Sequence, residues 1–179
     1  ALILDALAYD AGRPDAAYSL LLQDKDPSWL FTVRQGATTM WERWNSYTRE
    51  KGFGPVDMNS FNHYAYGSFA DWLFGAAAGL RPGPNGGFDD RFELAPLPVR
   101  RLGSVEATYK TKNGVIRSAW RYHDDCTLVW EFTVSKNSVA SVSFNGTTRD
   151  YPAGTYTLET VPRPLRPPAV PLLTCDPFF

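Results

Sequence analysis

A single carboxylate lies among aromatic side chains in the segment GATTMWERWNSY, where Glu42 stands between Trp41 and Trp44. Removing a charged group from water costs free energy that a nearby interaction must offset. An imidazole, His63, follows in the segment SFNHYAYG, next to Tyr64. One acid, one hydrogen-bonding ring and a wall of aromatic side chains are what a sugar-binding subsite uses, so the two segments predict a carbohydrate site.

The same spacing also has a purely structural interpretation. Thr39 followed three residues later by Glu42 is a formal capping box, and Ser60 followed by His63 resembles one more loosely. In that interpretation both side chains only satisfy exposed amides in the first turns of two helices. If the two helix N-termini open on one cleft, the same geometry points the carboxylate and the imidazole into a common cavity. The pattern leaves both interpretations open.

The elements that must position these residues begin with a helical pattern at the N-terminus. Leu4, Leu7 and Ala8 recur at helical spacing, Gly12 supplies a stop, and Pro14 starts a second short helix. These features predict a helical hairpin. The pattern begins without an initiator methionine or a capping residue, and we therefore expect the first residue to be a cut end.

A second helical pattern follows His63. The segment FNHYAYGSFADWLFGAAAGL, residues 61–80, carries only His63 and Asp71 as ionisable groups, which predicts a helix buried on most sides. Asn59 and Ser60, just before it, are good N-cap residues, and the string RPGPNGG ends it. A helix buried on several sides needs neighbours, and residues 1–50 supply only two or three. We therefore expect the helical half to be incomplete.

After the RPGPNGG string, the pattern changes to short alternating segments that are rich in β-branched and aromatic residues, as in strands. These segments are EATYKT, GVIRSAWRYH, TLVWEFTVS, ASVSF and TYTLE. Turn residues such as Asn145-Gly146 separate them at hairpin intervals, which predicts an antiparallel sandwich from about residue 90 to residue 160. Glu106 and Glu131 lie in these strands, where a lone exposed carboxylate usually only aids solubility.

The two site segments together carry a family resemblance. GATTMWERWNSY and MNSFNHYAYGSFADWLF resemble the C-terminal part of the catalytic domain of bacterial and fungal α-L-rhamnosidases, glycoside hydrolase family 78. The resemblance implies an α+β chain in which C-terminal helices of an incomplete (α/α)₆ barrel, residues 1–82, precede an antiparallel β-sandwich, residues 83–160. Residues 161–179 hold six of the 14 prolines and are expected to form an extended tail.

The resemblance also implies a chemistry, an inverting hydrolase that removes terminal α-L-rhamnose from glycosides. Within it, Glu42 matches the general base and His63 matches a histidine that binds the rhamnose. The further substrate-binding residues that we assign are Trp41, Trp44, Asn59 and Tyr64. The general acid of the family lies well upstream, and no segment here matches it. The expected partners are therefore a rhamnose-containing glycoside and the missing N-terminal part of the same enzyme, and the 179-residue chain by itself is expected to be inactive.

Composition excludes several other classes of function. The net charge is −1 and the basic residues form no block, which argues against a nucleic-acid or anionic-membrane partner. No apolar run reaches the roughly 18 residues of a membrane span. Cys126 and Cys175 could form one disulfide or remain two free thiols, and neither has the spacing of a metal or redox motif. We expect no cofactor. The compartment stays open, with secretion favoured over the cytoplasm.

A second class of function stays open beside the hydrolase, a carbohydrate-binding or structural module without catalysis. Trp120 and Trp130 help to separate the two classes. A binding module would expose such rings as a flat platform, whereas a structural sandwich would bury them. Both tryptophans alternate with polar neighbours, which favours burial.

Overall fold

The computed structural model describes residues 2–160, and the chain divides into two compact units. We call residues 1–72 the helical unit and residues 73–179 the sandwich unit. This division falls before residue 82, where the sequence suggests a boundary, because residues 76–82 bond to the strands that follow them. The predicted Pro-rich tail, residues 161–179, lies outside the described residues. Within residues 2–160, no helix has the length and apolar character needed to cross a membrane.

The helical unit begins with the predicted helical hairpin. Its first helices are α1 (Leu2–Asp5), continued by a π-helical turn (Ala6–Asp10), then α2 (Pro14–Leu22) and α3 (Trp29–Arg34). Gly12 adopts a positive φ of 62°, which lets the chain reverse direction between α1 and α2. Leu4, Ala8, Tyr18 and Leu21 are buried, so the hairpin holds together through its apolar faces.

Two further elements of the helical unit flank Glu42 along the chain. Before it, α3 is capped by Ser28, whose hydroxyl accepts the N–H of Phe31 at 3.0 Å. After it, a short antiparallel hairpin pairs β1 (Tyr47–Thr48) with β2 (Gly52–Phe53). Glu42 therefore lies in the connection between a helix and a hairpin.

The long helix predicted from residue 61 is shorter and less regular than expected. It consists of a 3₁₀ turn (Ala65–Ser68), α4 (Phe69–Trp72) and a π-helical turn (Leu73–Ala77). Trp72 is buried while Phe74 is about half exposed, so among the described residues this segment is not buried on most sides. The predicted burial requires the neighbours that an incomplete helical half lacks, and it stays a prediction. Gly79, whose φ is 76°, ends the segment. Only glycine fits there, because a Cβ at this position would overlap the backbone of Ala95 and Pro96.

The sandwich unit contains two four-stranded sheets, as expected from the alternating segments. The strands are β3 (Leu80–Pro82), β4 (Arg91–Leu94), β5 (Ser104–Thr111), β6 (Gly114–Tyr122), β7 (Leu128–Val134), β8 (Val139–Phe144), β9 (Thr147–Tyr151) and β10 (Gly154–Thr160). One sheet has the order β10-β7-β6-β5 and the other β3-β4-β8-β9. All neighbours are antiparallel except β4 and β8, which pair in parallel.

The turns of the sandwich unit follow the predicted chemistry. Asn145 and Gly146 both have positive φ, 50° and 74°, and they join β8 to β9 as a two-residue hairpin. The turn between β6 and β7 contains Cys126, and no described cysteine is a free thiol. Cys175 lies outside the described residues.

The core of the sandwich unit buries both tryptophans that could have formed an exposed platform. Trp120 and Trp130 are 1% and 0% exposed and lie opposite each other on β6 and β7. Phe92 and Val142 from the other sheet belong to the same core. Burial therefore favours a structural sandwich over one that binds sugar rings through these two residues.

Buried side chains of the sandwich unit also donate hydrogen bonds to backbone carbonyls at the end of the helical segment, by which we mean residues 65–77. The Trp120 indole N–H donates to the carbonyl of Ala77 at 2.6 Å, and the Ser118 hydroxyl donates to that of Ala78 at 2.6 Å. The same hydroxyl accepts the indole N–H of Trp130 at 2.9 Å. The last carbonyls of a helix have no partner within the helix, so two side chains of strand β6 supply the hydrogen bonds that these carbonyls need.

A ladder of charges covers the outer face of the sheet that contains β6. Arg117 donates to Glu106 at 2.7 Å and to Glu131 at 3.4 Å. The two carboxylates expected to stand alone are therefore paired. The hydrogen bond from the Arg117 guanidinium holds the pKa of the Glu106 carboxyl below its usual range.

Candidate active site

The segments that carry Glu42 and His63 lie side by side in the helical unit. The Glu42 N–H donates to the Ser60 carbonyl at 2.8 Å, and the His63 N–H donates to the Met40 carbonyl at 2.8 Å. The Thr39 hydroxyl also donates across this pair of segments, to the Phe61 carbonyl. Backbone bonds between residues about twenty positions apart therefore bring the carboxylate and the imidazole into one neighbourhood.

This pairing replaces the helix starts that the sequence predicted. No helix begins near Thr39, and the first helical turn after Ser60 begins only at Ala65. The capping-box interpretations of Thr39 with Glu42 and of Ser60 with His63 are therefore wrong, as are the N-caps expected at Asn59 and Ser60. The side chains of Thr39 and Glu42 bond instead to backbone groups of the partner segment, and the Asn59 amide donates to the Ser46 carbonyl.

The Glu42 carboxylate is held by a backbone donor. The N–H of Ser60 donates to Glu42 Oε2 at 2.8 Å, so these two residues share a backbone bond and a side-chain bond. The two bonds fix the direction of the carboxylate and leave Oε1 available to another partner. A backbone donor has no side-chain signature, and nothing in the sequence pointed to Ser60 in this role.

His63 and Tyr64 form the second part of the site. The Ala65 N–H donates to His63 Nδ1 at 3.4 Å, so the neutral ring carries its proton on Nε2. The imidazole lies parallel to the Tyr64 ring, with ring centroids 5.6 Å apart and an angle of 6° between the planes. Tyr64 is 87% exposed, which gives the site a large aromatic face in contact with solvent.

Trp41 and Trp44 pack against residues on both sides of Glu42 and His63 along the chain. Trp41 is 8% exposed and packs edge-on against Phe61 at 5.4 Å. Trp44 stacks on Tyr66 at 3.9 Å, and the backbone of Tyr66 in turn accepts the indole N–H of Trp29 at 2.8 Å. These contacts fasten the connection that carries Glu42, whereas direct contact of either tryptophan with a sugar stays a prediction.

Asn59 lies in the wall of a cavity of about 600 Å³ within the helical unit. Its amide nitrogen donates to the Ser46 carbonyl at 3.3 Å, while its Oδ1 is buried without a hydrogen-bond partner among the described residues. The lining of this cavity includes neither Glu42 nor His63. The common cavity expected for these two side chains therefore stays a prediction.

The arrangement provides a single oriented carboxylate, a ring N–H donor and an exposed aromatic face. Such groups can orient a sugar and accept a proton from a water molecule. Of the other acids near Glu42 along the chain, Asp57 is exposed, and its backbone carbonyl accepts from Arg43 at 3.2 Å. Within residues 2–160, no cluster of three or more His, Cys, Asp or Glu side chains could hold a metal ion.

Comparison with known families places both units. The model of the bacterial α-L-rhamnosidase 6-hairpin glycosidase domain matches residues 1–77, and that of the bacterial α-L-rhamnosidase C-terminal domain matches residues 79–158. The α-L-rhamnosidase of Formosa agariphila is 39% identical over 140 residues, 78% of this chain and 15% of that protein. That of an Alteromonas species is 41% identical over 124 residues, 69% of this chain and 13% of that protein.

Solved structures agree with these matches. The α-L-rhamnosidase of Streptomyces avermitilis, complexed with L-rhamnose, superposes with a TM-score of 0.78 and 30% identity, covering 88% of this chain and 17% of that one. The native α-L-rhamnosidase of Aspergillus terreus superposes with a TM-score of 0.78 and 31% identity, covering 87% of this chain and 18% of that one. The chain thus spans about 13–15% of the length of the curated relatives described above.

Proposed function

The chain belongs to the bacterial α-L-rhamnosidase family, and on that premise we propose that it supplies the C-terminal part of an inverting glycoside hydrolase that removes terminal α-L-rhamnose. In this proposal Glu42 is the general base, and His63 and Tyr64 bind the sugar. Two kinds of support exist, the matches to the C-terminal part of α-L-rhamnosidases and the geometry around Glu42.

An inverting glycosidase needs two carboxyl groups with opposite roles. One protonates the oxygen of the leaving group, while the other takes a proton from the water that attacks the opposite face of the sugar. The two groups stand roughly 6.5–9.5 Å apart to leave room for that water. Glu42 suits the second role, because its Oε2 is bound to the Ser60 N–H and its Oε1 is left to receive the proton.

The fixed direction of the Glu42 carboxylate is the observation that carries the proposal. A general base has to meet its water within hydrogen-bond distance, and a freely rotating side chain would rarely do so. The backbone bond between Glu42 and Ser60 and the side-chain bond to the same residue remove that freedom. A glutamate present only for solubility would need neither.

The sugar itself is held by hydrogen bonding and stacking in this proposal. Nε2–H of His63 donates to a hydroxyl group of the rhamnose, because Nδ1 already accepts from the Ala65 N–H. The exposed ring of Tyr64 covers an apolar face of the sugar. The general acid comes from the remainder of the enzyme, because the chain corresponds to only a small share of its relatives' length.

The test is a substitution of the base in the complete enzyme. Glu42→Gln keeps the shape of the side chain but removes its basicity, and we expect kcat/KM for an aryl α-L-rhamnoside to fall about 10²–10⁴-fold. Glu93→Gln, an exposed carboxylate on β4, is the matched control and should leave turnover unchanged. Proton NMR of the first product should show β-L-rhamnose. Activity within threefold of the parent in Glu42→Gln, or α-L-rhamnose as first product, would refute the assignment.

A further inference from the structure

The 600 Å³ cavity in the wall of which Asn59 lies has a distinctive charge. Four cationic side chains line it, Arg34, Arg43, Arg49 and Lys51, against two carboxylates, Asp26 and Glu50. A concave surface with an excess of cations attracts anions more strongly than a flat surface does, because it focuses the electric field.

Most of these cations are free to bind something else. Arg34 forms an ion pair with Asp24, but Arg43 donates only to a backbone carbonyl. Among the described residues, neither Arg49 nor Lys51 has an ion-pair partner. A ligand with a negative charge can therefore bind without first breaking an internal salt bridge at these three positions.

Aromatic and amide groups complete the cavity. Phe31 and Phe53 belong to its lining. Phe53 is 75% exposed, and its ring stands at 83° to the Phe61 ring with the two centroids 5.5 Å apart. Amide side chains, including Gln35, add neutral hydrogen-bonding groups. Rings for stacking, amides for hydroxyl groups and cations for a negative charge together fit a charged sugar better than they fit a bare inorganic anion.

The cavity also lies next to the proposed base. Arg43 follows Glu42 directly in the chain, and Asn59 precedes Ser60, whose N–H binds the Glu42 carboxylate. A glycoside with its rhamnose at Glu42 would thus have its next unit within reach of this lining.

We infer that this cavity is a subsite for an anionic sugar, carboxylated or sulfated, next to the rhamnose that is removed. The inference rests on the proposed function for the rhamnose itself. The substrate class is then an acidic rhamnose-containing glycan, with Arg43, Arg49 and Lys51 neutralising the charge and Phe53 stacking on the ring.

The experiment has a binding arm and a turnover arm, both with the complete enzyme. Affinities for D-glucuronate, D-glucose 6-sulfate and D-glucose are measured for the parent, for Arg49→Gln/Lys51→Gln and for Arg101→Gln/Lys110→Gln. The last variant removes the same charge from exposed residues of the sandwich unit that are outside the cavity. Turnover is compared for 4-carboxyphenyl and 4-carbamoylphenyl α-L-rhamnosides.

We expect both anionic sugars to bind the parent and the control more tightly than glucose does. Each lost cation should weaken their binding about fivefold, the value of one charge pair at close range in water. Raising NaCl from 0.01 to 1 M, which shortens the Debye length from about 30 Å to about 3 Å, should remove the preference. The ratio of kcat/KM for the carboxylated over the carbamoylated substrate should fall in Arg49→Gln/Lys51→Gln alone.

Three results would overturn the inference: equal affinity for the three sugars, anion binding that survives the double substitution, or a salt-independent preference. The last two would indicate a different site, and the first a cavity filled by another segment of the enzyme. Failure of the proposed function would look different, since neither aryl rhamnoside would be hydrolysed while the binding arm still gave its answer.

Discussion

Replacing Ser118 by alanine is the sharpest test of how the sandwich unit holds the end of the helical segment. The serine is fully buried, and its hydroxyl donates to the Ala78 carbonyl and accepts from the Trp130 indole. Alanine removes both bonds, changes the volume by one oxygen atom and leaves two buried polar groups without partners. Each such group costs about 1–3 kcal/mol, so we expect the sandwich unit to lose roughly 2–6 kcal/mol of unfolding free energy.

That loss is large against the roughly 5–15 kcal/mol of a typical domain. Native-state hydrogen exchange of peptides from β6 and β7 would measure it, because amides in these strands exchange through opening of the sandwich unit itself. Ser143→Ala is the control, since that hydroxyl is exposed and bonds only to Thr148 at 2.8 Å, so its removal should cost under about 0.5 kcal/mol.

The reasoning has a clear point of failure. If hydrogen exchange gives Ser118→Ala an unfolding free energy within about 0.5 kcal/mol of the parent's, the carbonyl of Ala78 and the indole of Trp130 must find other partners at little cost. A water molecule in the space of the hydroxyl is the simplest such partner, and a structure of the variant would show it.

Three further predictions address other features. Gly79→Ala should destabilise the sandwich unit by several kcal/mol more than Gly146→Ala, as measured by urea unfolding. Both glycines have φ near 75°, but only Gly79 has backbone atoms against the position of an added Cβ. Equal losses of stability would show that strain in φ is the whole effect. The depressed pKa of Glu106 should add stability above about pH 4.5, and this stability is lost as the pH falls through the pKa of Glu106 in the folded protein. Glu106→Gln should therefore flatten the dependence of the urea midpoint on pH below about pH 4.5. An unchanged dependence would contradict the pairing with Arg117. The 179-residue chain alone should hydrolyse no aryl α-L-rhamnoside until the remainder of the enzyme is added, and activity of the chain alone that vanished on Glu42→Gln would mean that a second acid, such as Asp57, completes the site.

Five of the eight strands of the sandwich unit were predictable from the sequence. The short strands β3 and β4 were not, although β4 buries Phe92 and Leu94 on one face, because three or four residues are too few to show a period. The strands β5, β6, β7, β8 and β10 all show alternation or apolar runs in sequence, because neighbouring side chains point to opposite faces of a sheet. By contrast, β9 (Thr147–Tyr151) has no buried residue and carries no such pattern. The two-residue turn at Asn145-Gly146 was predictable because it depends on local backbone preferences alone.

The candidate site was predictable in its residues but not in its backbone. Glu42, His63 and Tyr64 attract attention through residue type and aromatic company, which a sequence shows directly. The pairing of residues 39–42 with residues 60–63 is non-local, and no rule of spacing links amides twenty positions apart. Thr39 and Glu42 therefore imitate a capping box, although their hydrogen bonds go to Phe61 and Ser60.

The cap on the helical segment has a consequence for the timing of folding on the ribosome. The carbonyls of Ala77 and Ala78 receive their partners from Trp120 and Ser118, which follow them by 43 and 40 residues. At about 5–20 residues per second, synthesis delivers those partners roughly 2–9 s after the carbonyls emerge. During that interval water must satisfy both groups, and the end of the segment stays frayed. The end of the helical segment can therefore become ordered only after strand β6 has been synthesised. A pause in translation before residue 118 would lengthen the period in which a chaperone or a protease can reach the end of the segment.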